Sequence, residues 1–267
     1  MSAETFVNYW IGQEPTPPSP ALSQMPAYVD VVPLAFVTID ASWQLDFDFL
    51  CTTNPPDVIQ GWIKEVRANG TRVLFSINDQ RIAEVPDVAA FVANVVENVQ
   101  LWGVDGVDID FEPPSPEKRL LEVTSALRKA LRQALGRNPV LTAPIYAPWI
   151  DYPDFLKAFA TQLDFVTTMD YTPYPGLDET ISLFDDYASA IGTPEKVAIG
   201  MSCMGPPDSG NFTPLDDVAK LCRWEPGNGR KQGAMLYTFS YDVRTRAGSG
   251  TGYPDGAFTK TIHENLP

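Results

Sequence analysis

The chain has 267 residues, 44% of them hydrophobic, and a formal charge of −15 from 34 acids against 19 bases. That length and apolar content suffice for one full core, so residues 1–267 are read as a single domain. The acidic balance repels phosphate backbones and anionic bilayers, and no apolar run approaches the roughly 18 residues of a membrane span, so neither nucleic acid nor membrane is expected as a partner.

In chain order, MSAET runs straight into the apolar FVNYWIG from Phe6 without a basic leader or cleavage site, so an intracellular chain, or one whose leader has been removed, is expected. The next connection, GQEPTPPSPALSQMPA, is proline-rich loop, which predicts a short or absent first helix. YVDVVPLAFVTI from Tyr28 is a second strand, followed by the helical PDVIQGWIKEVRANG. TRVLFSI from Thr71 precedes PDVAAFVANVVENVQLWG, and DGVDIDF from Asp105 precedes PEKRLLEVTSALRKALRQALG. PVLTAPIYA from Pro139, LDFVTTMDY from Leu163 with the helical ETISLFDDYASAIG after it, KVAIGMSCM from Lys196 and GAMLYTFSY from Gly233 complete the series. Several helical stretches carry Pro near the start and Gly at the end, as helix boundaries do. Eight strands alternating with helices, spaced by about 32 residues, predict a single (β/α)8 TIM barrel. A doubly wound open sheet needs fewer strands, and no GxGxxG or GxxxxGK[ST] follows any of them.

DGVDIDFEPP holds the most chemistry. Alternate side chains of a strand share a face, so Asp108, Asp110 and Glu112 point one way, and Val107, Ile109 and Phe111 the other. In the fourth strand of a barrel the apolar set meets the helices. The acids then point inward and climb toward the C-terminal mouth, where barrel enzymes keep their active sites. Asp105, of opposite parity at the strand's entry, suits a structural role. Stacked carboxylates cannot all ionise cheaply, so at least one pKa should be raised, as a general acid requires. An EF-hand loop fails because Pro113 stands where Gly is needed and Arg119 where the twelfth ligand would be. A magnesium site on the same acids is a weaker rival, and neither metal nor cofactor is expected. Cys51, Cys203 and Cys222 form no CxxC pair and imply neither a disulfide framework nor zinc. His263 is the one histidine and lies near the C-terminus, which leaves the chemistry to carboxylates.

Asp105-x-x-Asp108-x-Asp110-x-Glu112 resembles the DxxDxDxE signature of family 18 of the glycoside hydrolases, the chitinases and endo-β-N-acetylglucosaminidases. Weaker matches run along the chain: Tyr9 and Trp10 on the first strand, Ala35 and Phe36 on the second, Met169-x-Tyr171 on the sixth, and the cadence of LYTFSYD at the last. The resemblance implies that Glu112 protonates the glycosidic oxygen, Asp110 orients the substrate's N-acetyl group, Asp108 supports Asp110, and Tyr171 hydrogen-bonds the acetamide oxygen. The nucleophile would be the acetamide itself, so no second enzyme carboxylate is needed and configuration is retained. The implied partner is a carbohydrate and the expected state a monomer. Tyr9, Asn78, Tyr146, Trp149, Met169 and Tyr237 are the expected sugar-binding residues.

The sequence departs from the family pattern at three places. Ser76-Ile77-Asn78-Asp79 stands for SxGG, Thr172 for the Asp or Asn after Tyr171, and Tyr237 for the tryptophan of the last strand. About 28 residues separate Gly205 from Ala234, too few for the extra α+β domain that walls a deep groove in some members. A shallow, open cleft is expected, which suits endo cleavage or access for branched glycans. A chitinase-like sugar-binding protein without turnover, or a barrel enzyme for another N-acylated substrate, stays open beside the glycosidase.

Overall fold

The computed structural model describes residues 4–13, 20–136, 138–205, 210–243 and 252–267, and in it the β-branched runs form eight parallel strands closed into a barrel. The strands are β1 (Thr5–Asn8, continued by Trp10–Ile11), β2 (Val31–Ile39), β3 (Arg72–Asn78) and β4 (Gly106–Asp110), then β5 (Val140–Ile145), β6 (Phe165–Thr168), β7 (Val197–Ser202) and β8 (Gly233–Tyr237). Each pairs with its neighbour in sequence. β1 pairs with both β8 and β2, which closes the ring and leaves no free edge. A short strand, Leu45–Asp46, folds back antiparallel on the end of β2 at the barrel mouth.

The expected helices follow their strands: α1 (Pro56–Ala68), α2 (Val88–Trp102), α3 (Lys118–Leu135), α4 (Pro153–Gln162), α5 (Leu177–Ile191) and α6 (Leu215–Arg223). The β1–β2 connection has only a 3₁₀ turn, Leu22–Gln24, among its described residues, in keeping with its prolines. Boundaries follow local chemistry. α2 begins where the Asp87 side chain accepts from Ala90 N, and stops at Gly103, whose φ of 69° is left-handed. After β8 come a single turn, α7 (Phe239–Asp242), and the last helix, α8 (Ala257–Asn265). The buried Asp242 carboxylate accepts from Phe258 N at 3.0 Å, Thr259 N at 2.8 Å and Thr259 Oγ1 at 2.6 Å, so it caps α8 and fixes the chain leaving β8.

Two apolar layers result. Val107, Ile109 and Phe111 join the large cluster between strands and helices, whereas Val7, Ile11, Val31, Leu74, Ala198 and Met235 belong to the smaller cluster that fills the barrel. β4 crosses so close to β5 that a Cβ on Gly106 would meet Val140 O at 1.8 Å, which explains the glycine inside the acidic motif. Asp105 has the structural role expected of its parity. It receives Arg67 Nε at 2.8 Å and Nη2 at 3.1 Å from the last turn of α1, and Val73 N at 3.1 Å. The three cysteines are free, and no described helix is long and apolar enough to cross a membrane.

Candidate active site

Strand register assembles the site row by row. Ser76 on β3 and Thr142 on β5 both pair with Asp108 on β4, so three inward polar side chains meet at one height. Asp108, 1% exposed, accepts from Ser76 Oγ at 2.8 Å, Thr142 Oγ1 at 2.6 Å and Tyr9 OH at 2.8 Å. One row higher, Asn78 pairs with Asp110. Its amide nitrogen donates to Asp110 Oδ2 at 2.7 Å and to Glu112 Oε1 at 3.0 Å. Glu112 lies past the end of β4 and is exposed at the mouth. The Tyr146 hydroxyl donates to the Glu112 main-chain oxygen, and Trp149 Nε1 donates to Pro113 O at 2.9 Å, so two aromatics from the β5–α4 connection hold the Glu112 turn.

This column behaves electrostatically as stacked acids should. Burial pushes the Asp110 carboxyl well above its ordinary range, and the charges of Glu112 and then Asp108 push it further, while the Asn78 hydrogen bond pulls it down. Asp110 and Glu112 are within hydrogen-bond reach of each other, a contact that also favours a proton on Asp110. Burial raises Asp108 as well, against the hydrogen bonds from Thr142, Tyr9 and Ser76. The Tyr171 hydroxyl is driven well up by burial and then by Tyr237 and the nearby acids, so it stays a proton donor near neutrality.

A cleft of about 360 Å³ opens above the column, lined by Asp110, Glu112, Tyr171, Tyr237, Tyr9 and Met169, with Phe36, Pro144, Tyr146 and Thr172 completing it. Its size lies at the small end for ligand pockets, roughly 300–1,000 Å³. The rings of Tyr171, Tyr237 and Phe36 are near parallel, at 14° and 25°, with centroid separations of 6.0 and 6.5 Å, and Tyr9 meets Tyr237 edge-on at 5.7 Å. A second hollow of about 330 Å³ adjoins along the β5 and β6 loops, sharing Tyr146, Met169 and Thr172.

Two sequence expectations are corrected. Trp149 does not reach the cleft: it is 0% exposed, and a 3₁₀ turn (Ala147–Asp151) folds its indole back onto Phe111, Phe155 and Phe159. Asn78 is half-buried and not among the cleft-lining residues, and its amide nitrogen donates to the two acids that are. Tyr9 has a double position, lining the cleft while its hydroxyl holds Asp108. His263 lies on α8, stacked on Tyr28 at 3.9 Å, away from the cleft lining. Sequence reasoning missed Phe36 as a lining residue and Ser76 and Thr142 as the seat of Asp108. Inward parity on β3 and β5 marks the last two, once the register with Asp108 is known.

A profile described as Glycosyl hydrolases family 18 matches residues 5–238. The chain belongs to glycoside hydrolase family 18. Solved structures with the same fold include a family 18 chitinase from Pseudoalteromonas aurantia, with 18% identity, 98% of this chain and 100% of that one covered, and a TM-score of 0.74. A family 18 chitinase from Cycas revoluta in complex with (GlcNAc)3 aligns at 15% identity over 98% and 100% of the two chains, TM-score 0.74. A chitinase-like agglutinin from Robinia pseudoacacia aligns at 14% identity over 98% and 99%, TM-score 0.75. At these identities the likenesses speak to the fold. No curated protein matches the sequence. Family 18 membership makes the protein chitinase-like, with a carbohydrate as its ligand class.

Proposed function

We propose that this family 18 barrel hydrolyses β-linked N-acetylglucosamine glycans, such as chitooligosaccharides, chitin or an N-glycan core, with retention and with the substrate's acetamide as nucleophile. One observation carries the reading. The two carboxylates that line the described cleft, Asp110 at the end of β4 and Glu112 just past it, stand within hydrogen-bond reach of each other. A retaining enzyme with its own nucleophile holds its pair about 5–5.5 Å apart with the scissile bond between them. The Tyr171 and Tyr237 rings line the same cleft, and they suit an acetamide and a sugar face.

In the first step Glu112 gives its carboxyl proton to the glycosidic oxygen as the bond from that oxygen to the anomeric carbon breaks. The acetamide carbonyl oxygen bonds to the same carbon and forms an oxazolinium ion, with Asp110 holding the acetamide N–H and Tyr171 its oxygen. In the second step the Glu112 carboxylate takes a proton from water, whose oxygen attacks the anomeric carbon and reopens the ring. Two inversions give net retention. The hollow beside Met169 and Thr172 leaves room for sugars beyond the cleaved unit, in keeping with endo action.

Likeness to a chitinase-like agglutinin favours a second reading, sugar binding without turnover. Glu112 weighs against it, because an exposed acid held by Asn78 and Tyr146 at the cleft is not required for binding alone. Incubation with chitooligosaccharides and a high-mannose glycoprotein, with mass spectrometry of the products, separates the two. Shortened oligosaccharides or a released glycan support hydrolysis, and unchanged substrates in the presence of measurable binding support the agglutinin reading.

Tyr237 gives a graded test of sugar stacking. Tyr237→Ala is expected to weaken chitooligosaccharide binding by about 1 kcal/mol or more in calorimetry, and Tyr237→Trp to tighten it by roughly 0.5 kcal/mol. Unaltered binding in both variants would remove Tyr237 from the floor of the site.

A further inference from the structure

We propose that Asn78 is the positioning residue of the acid pair, committing Asp110 Oδ2 and Glu112 Oε1 as acceptors so that Glu112 carries its reactive proton on Oε2. The inference rests on the reading of Glu112 as the acid. It concerns a residue that stands where the family pattern has a glycine, which has no side-chain donor to offer.

The geometry is unambiguous about which atoms are engaged. One planar NH2 group has two hydrogens, and its nitrogen lies 2.7 Å from Asp110 Oδ2 and 3.0 Å from Glu112 Oε1. The reversed amide would set its oxygen against two acid oxygens, at least one of which carries no proton when the pair shares one, so the network assigns the donor orientation. An oxygen that accepts N–H in the plane of its carboxyl group does not also hold the proton directed at that donor. Asp110 Oδ1, buried and without a hydrogen bond from any neutral or cationic donor, and Glu112 Oε2 are the positions left. Register supports the arrangement: Asn78 is the direct partner of Asp110 on the neighbouring strand, and the next residue, Asp79, is tied to Arg81 Nη2 at 2.7 Å, which anchors the end of β3.

The other ionisable groups around the pair lack this capacity. Asp108 lies beneath, held by three hydroxyls, and Tyr9 is occupied with it. Tyr146 serves the Glu112 main chain, while Tyr171 and Tyr237 belong to the cleft lining and stack on each other at 6.0 Å. Asn78 is therefore the side chain that bridges the two carboxylates.

The test compares wild type with Asn78→Ala, Asn78→Leu, which keeps bulk and removes both donors without adding charge, and Asn78→Gln. Carboxylate titrations of Asp110 and Glu112 are followed by 13C NMR in each, independently of any turnover. Loss of the donor that pulls Asp110 down should move the Asp110 titration to higher pH in Asn78→Ala and Asn78→Leu, with Asn78→Gln moving it back toward wild type. On a chitooligosaccharide, kcat should fall about tenfold with little change in KM, and the acid limb of the pH profile should move upward with the titration. Titration curves that superimpose on wild type in both Asn78→Ala and Asn78→Leu overturn the proposal, whatever the activity. Shifted titrations in a protein that cleaves no N-acetylglucosamine glycan uphold the role of Asn78 and overturn the glycosidase reading instead.

Discussion

Glu112→Gln is expected to lower turnover of a chitooligosaccharide by at least about 10²-fold while the protein melts at or above the wild-type temperature. The substitution removes the carboxyl proposed to deliver the proton to the glycosidic oxygen, yet little of the packing changes. Gln keeps an oxygen for the Asn78 amide, and the Tyr146 hydroxyl bonds the main chain, which is untouched. Stability should hold because the charge of Glu112 is the second largest cause of the raised pKa of Asp110, after burial. Taking that charge away eases the ionisation of Asp110. A single set of initial rates beside a melting curve decides the matter. Turnover near wild type would show that the proton comes from elsewhere, and loss of both rate and melting transition would make Glu112 structural.

The second large effect concerns the substrate. Replacing the 2-acetamido group by a 2-hydroxyl, with the leaving group unchanged, should reduce cleavage by about 10³-fold or more, since the nucleophile and its intramolecular placement go together. In the proposed mechanism the acetamide meets two groups of the cleft lining, Tyr171, a donor kept protonated by burial, and Asp110. A thiazoline that mimics the oxazolinium ion should inhibit competitively, because its ring places positive charge beside the Asp110–Glu112 pair. Comparable rates on plain glucosides would mean that an enzyme group such as the Asp110 carboxylate attacks the anomeric carbon, and would overturn the acetamide as nucleophile.

Much of this was legible from the chain because barrel strands are buried on both faces. VVPLAFVTI and VAIGMS are near-continuous apolar runs, which single them out without knowledge of their partners. The acids of β4 were legible for a related reason, since Asp108, Asp110 and Glu112 share a parity opposite to that of Val107, Ile109 and Phe111. Relations between strands were not. Asn78 reads as a sugar contact until the register sets it beside Asp110, and Ser76 and Thr142 are ordinary hydroxyls until they meet at Asp108. Which acids are raised also depends on burial that parity does not convey: the sequence predicts at least one raised carboxyl in the column without saying which, and the structure raises Asp110 and Asp108. Trp149 was misplaced because an aromatic after a strand end can turn outward to the cleft or back to the helices. The 3₁₀ turn that carries the indole over Phe111 leaves no periodic trace.

The most direct test of the central claim is the anomeric configuration of the first product. Proton NMR during hydrolysis of a chitooligosaccharide resolves the α and β anomers of the new reducing end before mutarotation mixes them. Acetamide participation followed by water attack at the same face predicts the β anomer at early times, relaxing later to the equilibrium mixture. Initial appearance of the α anomer would mean direct displacement by water, and would contradict a mechanism in which Glu112 is the acid and the substrate supplies its own nucleophile.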